Sequence, residues 1–135
     1  MYNLLVLLIQ ILKLASLLSK DLYIQQAYGY LKGGDLTVNA QDVQIINTTE
    51  DAYLTPGLFA SASKNFSRGD AGNLTINTNK LLVQGIAKVS NSTNGKGKGG
   101  DLIVNAQDVQ LIGGGAGLIA LADEWSTGSA GNLTL

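Results

Sequence analysis

The sequence predicts an all-β protein, a parallel β-helix of about three to four rungs, preceded by a hydrophobic N-terminal helix. Three observations lead there. A near-verbatim phrase recurs along the chain, apolar residues within it are spaced by two, and its polar positions fall into columns when the copies are aligned.

GGDLTVNAQDVQII occupies residues 33–46 and GGDLIVNAQDVQLI occupies 99–112, identical at twelve of fourteen positions. AGNLTINTNKLLVQ (71–84) is a looser copy, and AGNLTL (130–135) begins another. The second glycine of each copy is Gly34, Gly72, Gly100 and Gly131, at intervals of 38, 28 and 31 residues. Periods of roughly 20–50 residues mark stacked architectures, in which no single unit buries its own apolar face. The chain therefore divides into a segment 1–30 and repeats 33–70, 71–98, 99–129 and a partial 130–135.

Helical repeats need apolar residues three and four apart, whereas alternation marks a half-buried strand. In the first strand of each copy Leu36, Val38 and Ala40 alternate with Thr37 and Asn39. Leu74 and Ile76, Leu102 and Val104, and Leu133 and Leu135 occupy the equivalent places. A second strand follows, with Val43 and Ile45, then Leu81 and Val83, then Val109 and Leu111. A third and weaker one lies in GLFASAS, IAKVSNS and GLIALAD. Three strands per repeat, joined by Gly- and Asn-rich corners, describe one turn of a parallel β-helix. Its copies stack about 4.8 Å apart, like residue over like residue.

The polar columns argue for the same stack. Asn39, Asn77 and Asn105 line up as an asparagine ladder, with amides bonding along the stack. The leucines Leu36, Leu74, Leu102 and Leu133 form the matching apolar ladder. The corner after the second glycine reads Asp35, Asn73, Asp101, Asn132, so an amide separates each acid from the next. A further column, Asp42, Lys80, Asp108, alternates in sign. Like charges directly opposite would destabilise a sheet, and both columns avoid that.

Aligning backwards from the corner glycine gives Phe66, Asn94 and Trp125, with two aromatics two rungs apart. TEDAYLTPG (49–57), with the only proline, reads as a corner insertion protruding from the stack. Tyr53, Phe66 and Trp125 are accordingly the candidate surface-binding residues.

MYNLLVLLIQILKLASLLSK stands outside the repeat. As a helix it places Asn3, Gln10, Lys13 and Lys20 near one another on a narrow polar stripe, leaving a broad apolar face to cover the end of the β-helix. Two other readings stay open. One is a signal or membrane segment, although no Lys or Arg precedes the apolar run and Leu4–Leu18 is short of the ~20 residues a span needs. The other is a non-native leader from a truncated gene. Membrane contact, if made, runs through residues 1–20 alone.

Composition closes several chemistries. Cysteine and histidine are absent, which removes thiol nucleophiles, Ser-His-Asp triads and His- or Cys-based metal centres. A formal charge of −1 gives no electrostatic footprint for nucleic acid. Gly95, Gly97 and Gly100 satisfy GxGxxG but precede a strand rather than a helix, so they read as a flexible corner. Arg68-Gly69-Asp70 spells an integrin-recognition tripeptide, yet Gly69 already belongs to a corner column with Gly97 and Gly128. The N-x-S/T sequons at Asn47, Asn65, Asn73, Asn91 and Asn132 follow from an Asn- and Thr-rich composition. GGDLTVNAQ lacks the GxD spacing of a calcium-binding β-roll. Asp123 and Glu124, beside Trp125, point to opposite faces of a strand, which argues against a catalytic acid–base pair. No metal, cofactor or catalytic residue is expected, and the chain reads as a non-enzyme.

GGDLTVNA, AGNLTINTNKLLVQG and GKGKGGDLIVNA closely resemble the repeats of filamentous-haemagglutinin-like exoproteins of two-partner secretion systems, in their cyanobacterial style. The resemblance runs from Gly33 to Leu135. It implies a right-handed β-helix, an extracellular or outer-membrane-associated location, and a structural or adhesive role. The implied partners are surface glycans or other cell-surface components, and neighbouring β-helix segments of a longer filament. The family's N-terminal secretion domain and its asparagine–proline motif have no counterpart here, and the last strand breaks off mid-pattern. A truncated gene fragment without independent activity is therefore the first alternative. A carbohydrate-active β-helix enzyme is the second.

Overall fold

The computed structural model describes residues 16–19, 26–27, 34–46, 57–62, 69–93, 95–122 and 126–135. Strands form where the two-residue alternation runs. The first sheet holds β3 (Leu36–Asn39), β7 (Leu74–Asn77), β10 (Leu102–Asn105) and β13 (Leu133–Thr134), in that order. The second holds β1 (Ser16–Ser19), β4 (Asp42–Ile46), β8 (Lys80–Gln84) and β11 (Asp108–Ile112). The third runs through β2 (Gln26–Ala27), β6 (Ser61–Ala62), β9 (Lys88–Thr93) and β12 (Gly117–Ala122), with β5 (Gly57–Phe59) also paired to β9.

Every strand pairing is parallel. The chain is thus all-β across its described residues, in three parallel sheets compatible with a β-helix. Copies meet in register. Leu36, Leu74, Leu102 and Leu133 are successive partners, as are Asp42, Lys80 and Asp108. The repeat intervals differ by up to ten residues, yet the strands stay aligned because the surplus falls between them.

Alternation separates the two faces of each strand. Leu36, Val43, Ile45, Leu58, Leu74, Ile76, Leu81, Val83, Val89 and Leu102 are fully buried in one continuous core, joined by Val38 and Val104. Each such side chain contributes roughly 1.5–3 kcal/mol by leaving water. The leucine column ends at Leu133, which pairs with Leu102 but stays 45% exposed because no described strand follows it.

Of the N-terminal segment expected to hold a helix, only residues 16–19 and 26–27 are described. Its described residues are strands: β1 pairs with β4 from Ser16↔Asp42 to Ser19↔Ile45, and β2 pairs with β6. No helix is present among the described residues, and so none is long and apolar enough to cross a membrane. The physical reason lies in the free edge of β4. A helix laid over it could cover apolar side chains but would leave the edge N–H and C=O groups without partners; a parallel strand pairs them. Residues 1–15, which hold most of the expected helix, lie outside the described residues.

The third strand, the weakest in the sequence, is the longest in the structure, six residues in both β9 and β12. Gly57, the last residue of the expected 49–57 insertion, is a buried residue of β5 paired with Lys88, and residues 49–56 lie outside the described residues.

Candidate functional site

The polar columns are the most developed feature of the described surface. Asn39, Asn77 and Asn105 close β3, β7 and β10, one position beyond the last inward residue, so their side chains face outward. Asn77 Nδ2 donates to Asn39 Oδ1 at 2.7 Å, and Asn105 Nδ2 donates to Asn77 Oδ1 at 2.8 Å. Asn77 thus spends its donor on the preceding rung and its acceptor on the following one. Asn77→Ala removes both bonds at once and is expected to cost about 1–2 kcal/mol. Asn77→Asp keeps the acceptor and should lose about half as much. Urea titration followed by circular dichroism measures the difference.

The Asp35–Asn73–Asp101–Asn132 column does more than keep acids apart. The Asn73 backbone N–H donates to Asp35 Oδ1 at 2.7 Å, Asp101 N–H to Asn73 Oδ1 at 2.9 Å, and Asn132 N–H to Asp101 Oδ1 at 2.9 Å. Each side-chain oxygen therefore satisfies a corner amide of the next rung, a group the ladders of the sheets leave over. Asp70 repeats the device at another corner, accepting from Lys98 N–H at 2.7 Å.

Glycines occupy the corners for want of space. A Cβ on Gly72 would overlap the carbonyl oxygen of Gly34, one on Gly100 that of Gly72, and one on Gly131 that of Gly100. The Gly69, Gly97 and Gly128 column behaves the same way. Gly95, Gly97 and Gly100 thus belong to a corner that leads into β10. In the Arg-Gly-Asp tripeptide, Gly69 is buried and the Asp70 carboxylate is engaged by Lys98; Arg68 lies outside the described residues.

One asparagine points inward. Asn91, on β9, is fully buried; its Nδ2 donates to the Asp101 carbonyl at 2.8 Å and its Oδ1 has no protein partner. That sequon is sealed against any glycosylating enzyme, whereas Asn73 and Asn132 are exposed. Among the described residues no three acidic side chains gather as a metal site would require.

The candidate binding aromatics Tyr53, Phe66 and Trp125 lie outside the described residues, with Asn94, Asp123 and Glu124. Two features that sequence reasoning missed lie within them. The first is an open depression of about 360 Å³ beside Leu135, whose polar wall includes Asn79, Asn105 and Gln107. The second is the uncovered outer face of the final rung. Val109, Leu111, Leu133 and Leu135 are exposed there, while the equivalents of Val109 and Leu111 one rung earlier, Leu81 and Val83, are fully buried; Ile112 and Leu121, partners of Gln84 and Ser92, are exposed at outward positions. The equivalence was available in the sequence, but exposure depends on whether another rung follows.

Comparison of the chain with family models, curated proteins and solved structures returns no match.

Proposed function

We propose that the chain is a non-enzymatic structural or adhesive segment of a secreted, filamentous-haemagglutinin-like protein. In this reading it winds as a right-handed parallel β-helix at the cell exterior or outer membrane. The observation that carries the proposal is the in-register stack of repeats, with one asparagine ladder and two glycine columns running along it. Such a stack spends its polar residues on holding rungs together. Its charged column disperses carboxylates, with Lys80 between Asp42 and Asp108, instead of clustering them around a substrate.

Adhesion in this reading uses the outer face and the corner insertions that carry Tyr53 and Trp125. Each contact is weak, and affinity grows by repetition along the filament. Surface glycans are the partners that amide-rich ladders and these aromatic residues suit.

A glycan array tests the proposal. Deleting residues 49–56, which spares Gly57 and β5, or substituting Trp125→Ala, is expected to abolish binding with an unchanged unfolding midpoint. Absence of glycan binding by the intact chain presented on a multivalent support overturns the adhesive half of the proposal. Turnover of a polyuronate by the purified protein overturns the non-enzymatic half.

A further inference from the structure

We infer that the interior of the stack binds one water molecule, held by the buried Asn91 amide oxygen and bridged to the Thr93 hydroxyl. The inference concerns the inside of the stack and needs neither export nor adhesion.

Asn91 and Thr93 lie on one face of β9, the inward one, and both are fully buried. The partner of the Asn91 amide settles which way it points. The atom against the Asp101 carbonyl has to be a donor, so Nδ2 stands there at 2.8 Å and Oδ1 points away. Gly100 makes room for this arrangement, since a Cβ on it would come to 3.0 Å from Asn91 Nδ2. Oδ1 is then buried without a protein partner. Thr93 spends its hydroxyl proton on the Gly97 carbonyl at 3.1 Å, and its oxygen keeps lone pairs that can accept. Two acceptors on one inward face call for a guest with two donors. Water is the smallest that has them, and buried waters are found where polar groups lack protein partners.

The neighbouring rungs leave space for it. Asn91 has Ala120 of β12 as its register partner on one side, and on the other Ala60, which follows the Phe59↔Ser90 pair. One step earlier the same sheet is filled by Leu58, Val89 and Leu118. An alanine lacks the three outer carbons of a leucine, more than the volume of about 30 Å³ that a water takes. No carboxylate is among the buried side chains described, so a cation would enter uncompensated and a neutral guest is preferred. Bound there, the water completes a clamp. Asn91 and Thr93 grip the Asp101 and Gly97 carbonyls, two points of the glycine-rich corner that leads to β10, and the water ties the two side chains to each other. Ala60 and Ala120 offer no polar group to repeat the clamp on the rungs beside it.

Oxygen-17 magnetic relaxation dispersion of the whole chain tests the inference, because it counts waters held for longer than the protein takes to tumble. Asn91→Leu removes the amide and fills the space, and is expected to show one long-lived water fewer than the wild type. Ala60→Val narrows the site with both polar groups intact and should lose the same water, so the test stands even where Asn91→Leu does not fold; circular dichroism checks each variant. A folded variant of either kind with the wild-type count overturns the inference. So does a crystal structure of the wild type in which a protein atom or a metal ion, rather than a water, lies within about 3 Å of Asn91 Oδ1. A water at that position within reach of Thr93 Oγ1 supports it.

Discussion

Gly72→Ala is expected to lose about 3 kcal/mol of stability, a large effect for a single added methyl group. The methyl would meet the Gly34 carbonyl, a backbone group held in the preceding rung, which cannot turn aside as a side chain could. Relief requires the two rungs to separate at that corner. There the Asn73 N–H to Asp35 bond and the backbone bond from Leu36 N–H to the Asn73 carbonyl hold them together. In a stacked protein stability is a sum of rungs and their interfaces, so a weakened interface also splits the unfolding transition. Urea unfolding followed by circular dichroism should show an earlier and broader transition for Gly72→Ala. Gly114→Ala, where a Cβ meets open space, should unfold with the wild type to within about 0.5 kcal/mol. Equal effects at the two positions would refute steric exclusion as the reason for the glycine column.

Leu74→Ala is expected to cost about 2–5 kcal/mol, and Leu133→Ala less than about 1. Both leucines belong to one column and one sequence phrase. Leu74 lies between Leu36 and Leu102, fully buried, and its removal leaves a cavity that two rungs share. Leu133 has a neighbour on one side and is 45% exposed, so its truncation forfeits only part of the transfer energy. Thermal melts measure the two losses. Hydrogen exchange adds location, since amide protection at Leu36 and Leu102 should fall in the Leu74 variant and hold in the Leu133 variant.

These paired substitutions also show what the sequence makes legible. The first two strands of each repeat are plain in it, because Leu, Val and Ile occupy every inward position and the phrase recurs almost verbatim. The third strand is faint because its inward positions include Asn91 and Thr93. The Asn91 Nδ2 and the Thr93 hydroxyl donate to the Asp101 and Gly97 carbonyls, contacts a hydropathy pattern cannot display. β1 and β2 are hidden for another reason. SLLS and QA carry no corner glycine and no ladder asparagine, and the apolar run before them has the length of a helix. Strand pairing across a free edge decides their conformation, and that is a tertiary effect. The corner acids were legible as a column but not as acceptors, since the amides they satisfy become spare only when the rungs are stacked. The aromatic candidates Tyr53, Phe66 and Trp125 belong to corners whose lengths differ from repeat to repeat, where the columns offer no register.

Among the described residues the side-chain bonds of the asparagine and corner columns run one way. Asn77, Asn105, Asn73, Asp101, Asn132 and Lys98 each donate toward a residue made earlier in the chain. In these columns a finished turn therefore presents waiting acceptors to whatever segment arrives next, whereas backbone donors such as Leu36 N–H, and the buried Asn91 Nδ2, are completed only by the following turn. A polypeptide built on this plan can settle turn by turn as it is synthesised or threaded through a pore, each layer serving as the mould for its successor.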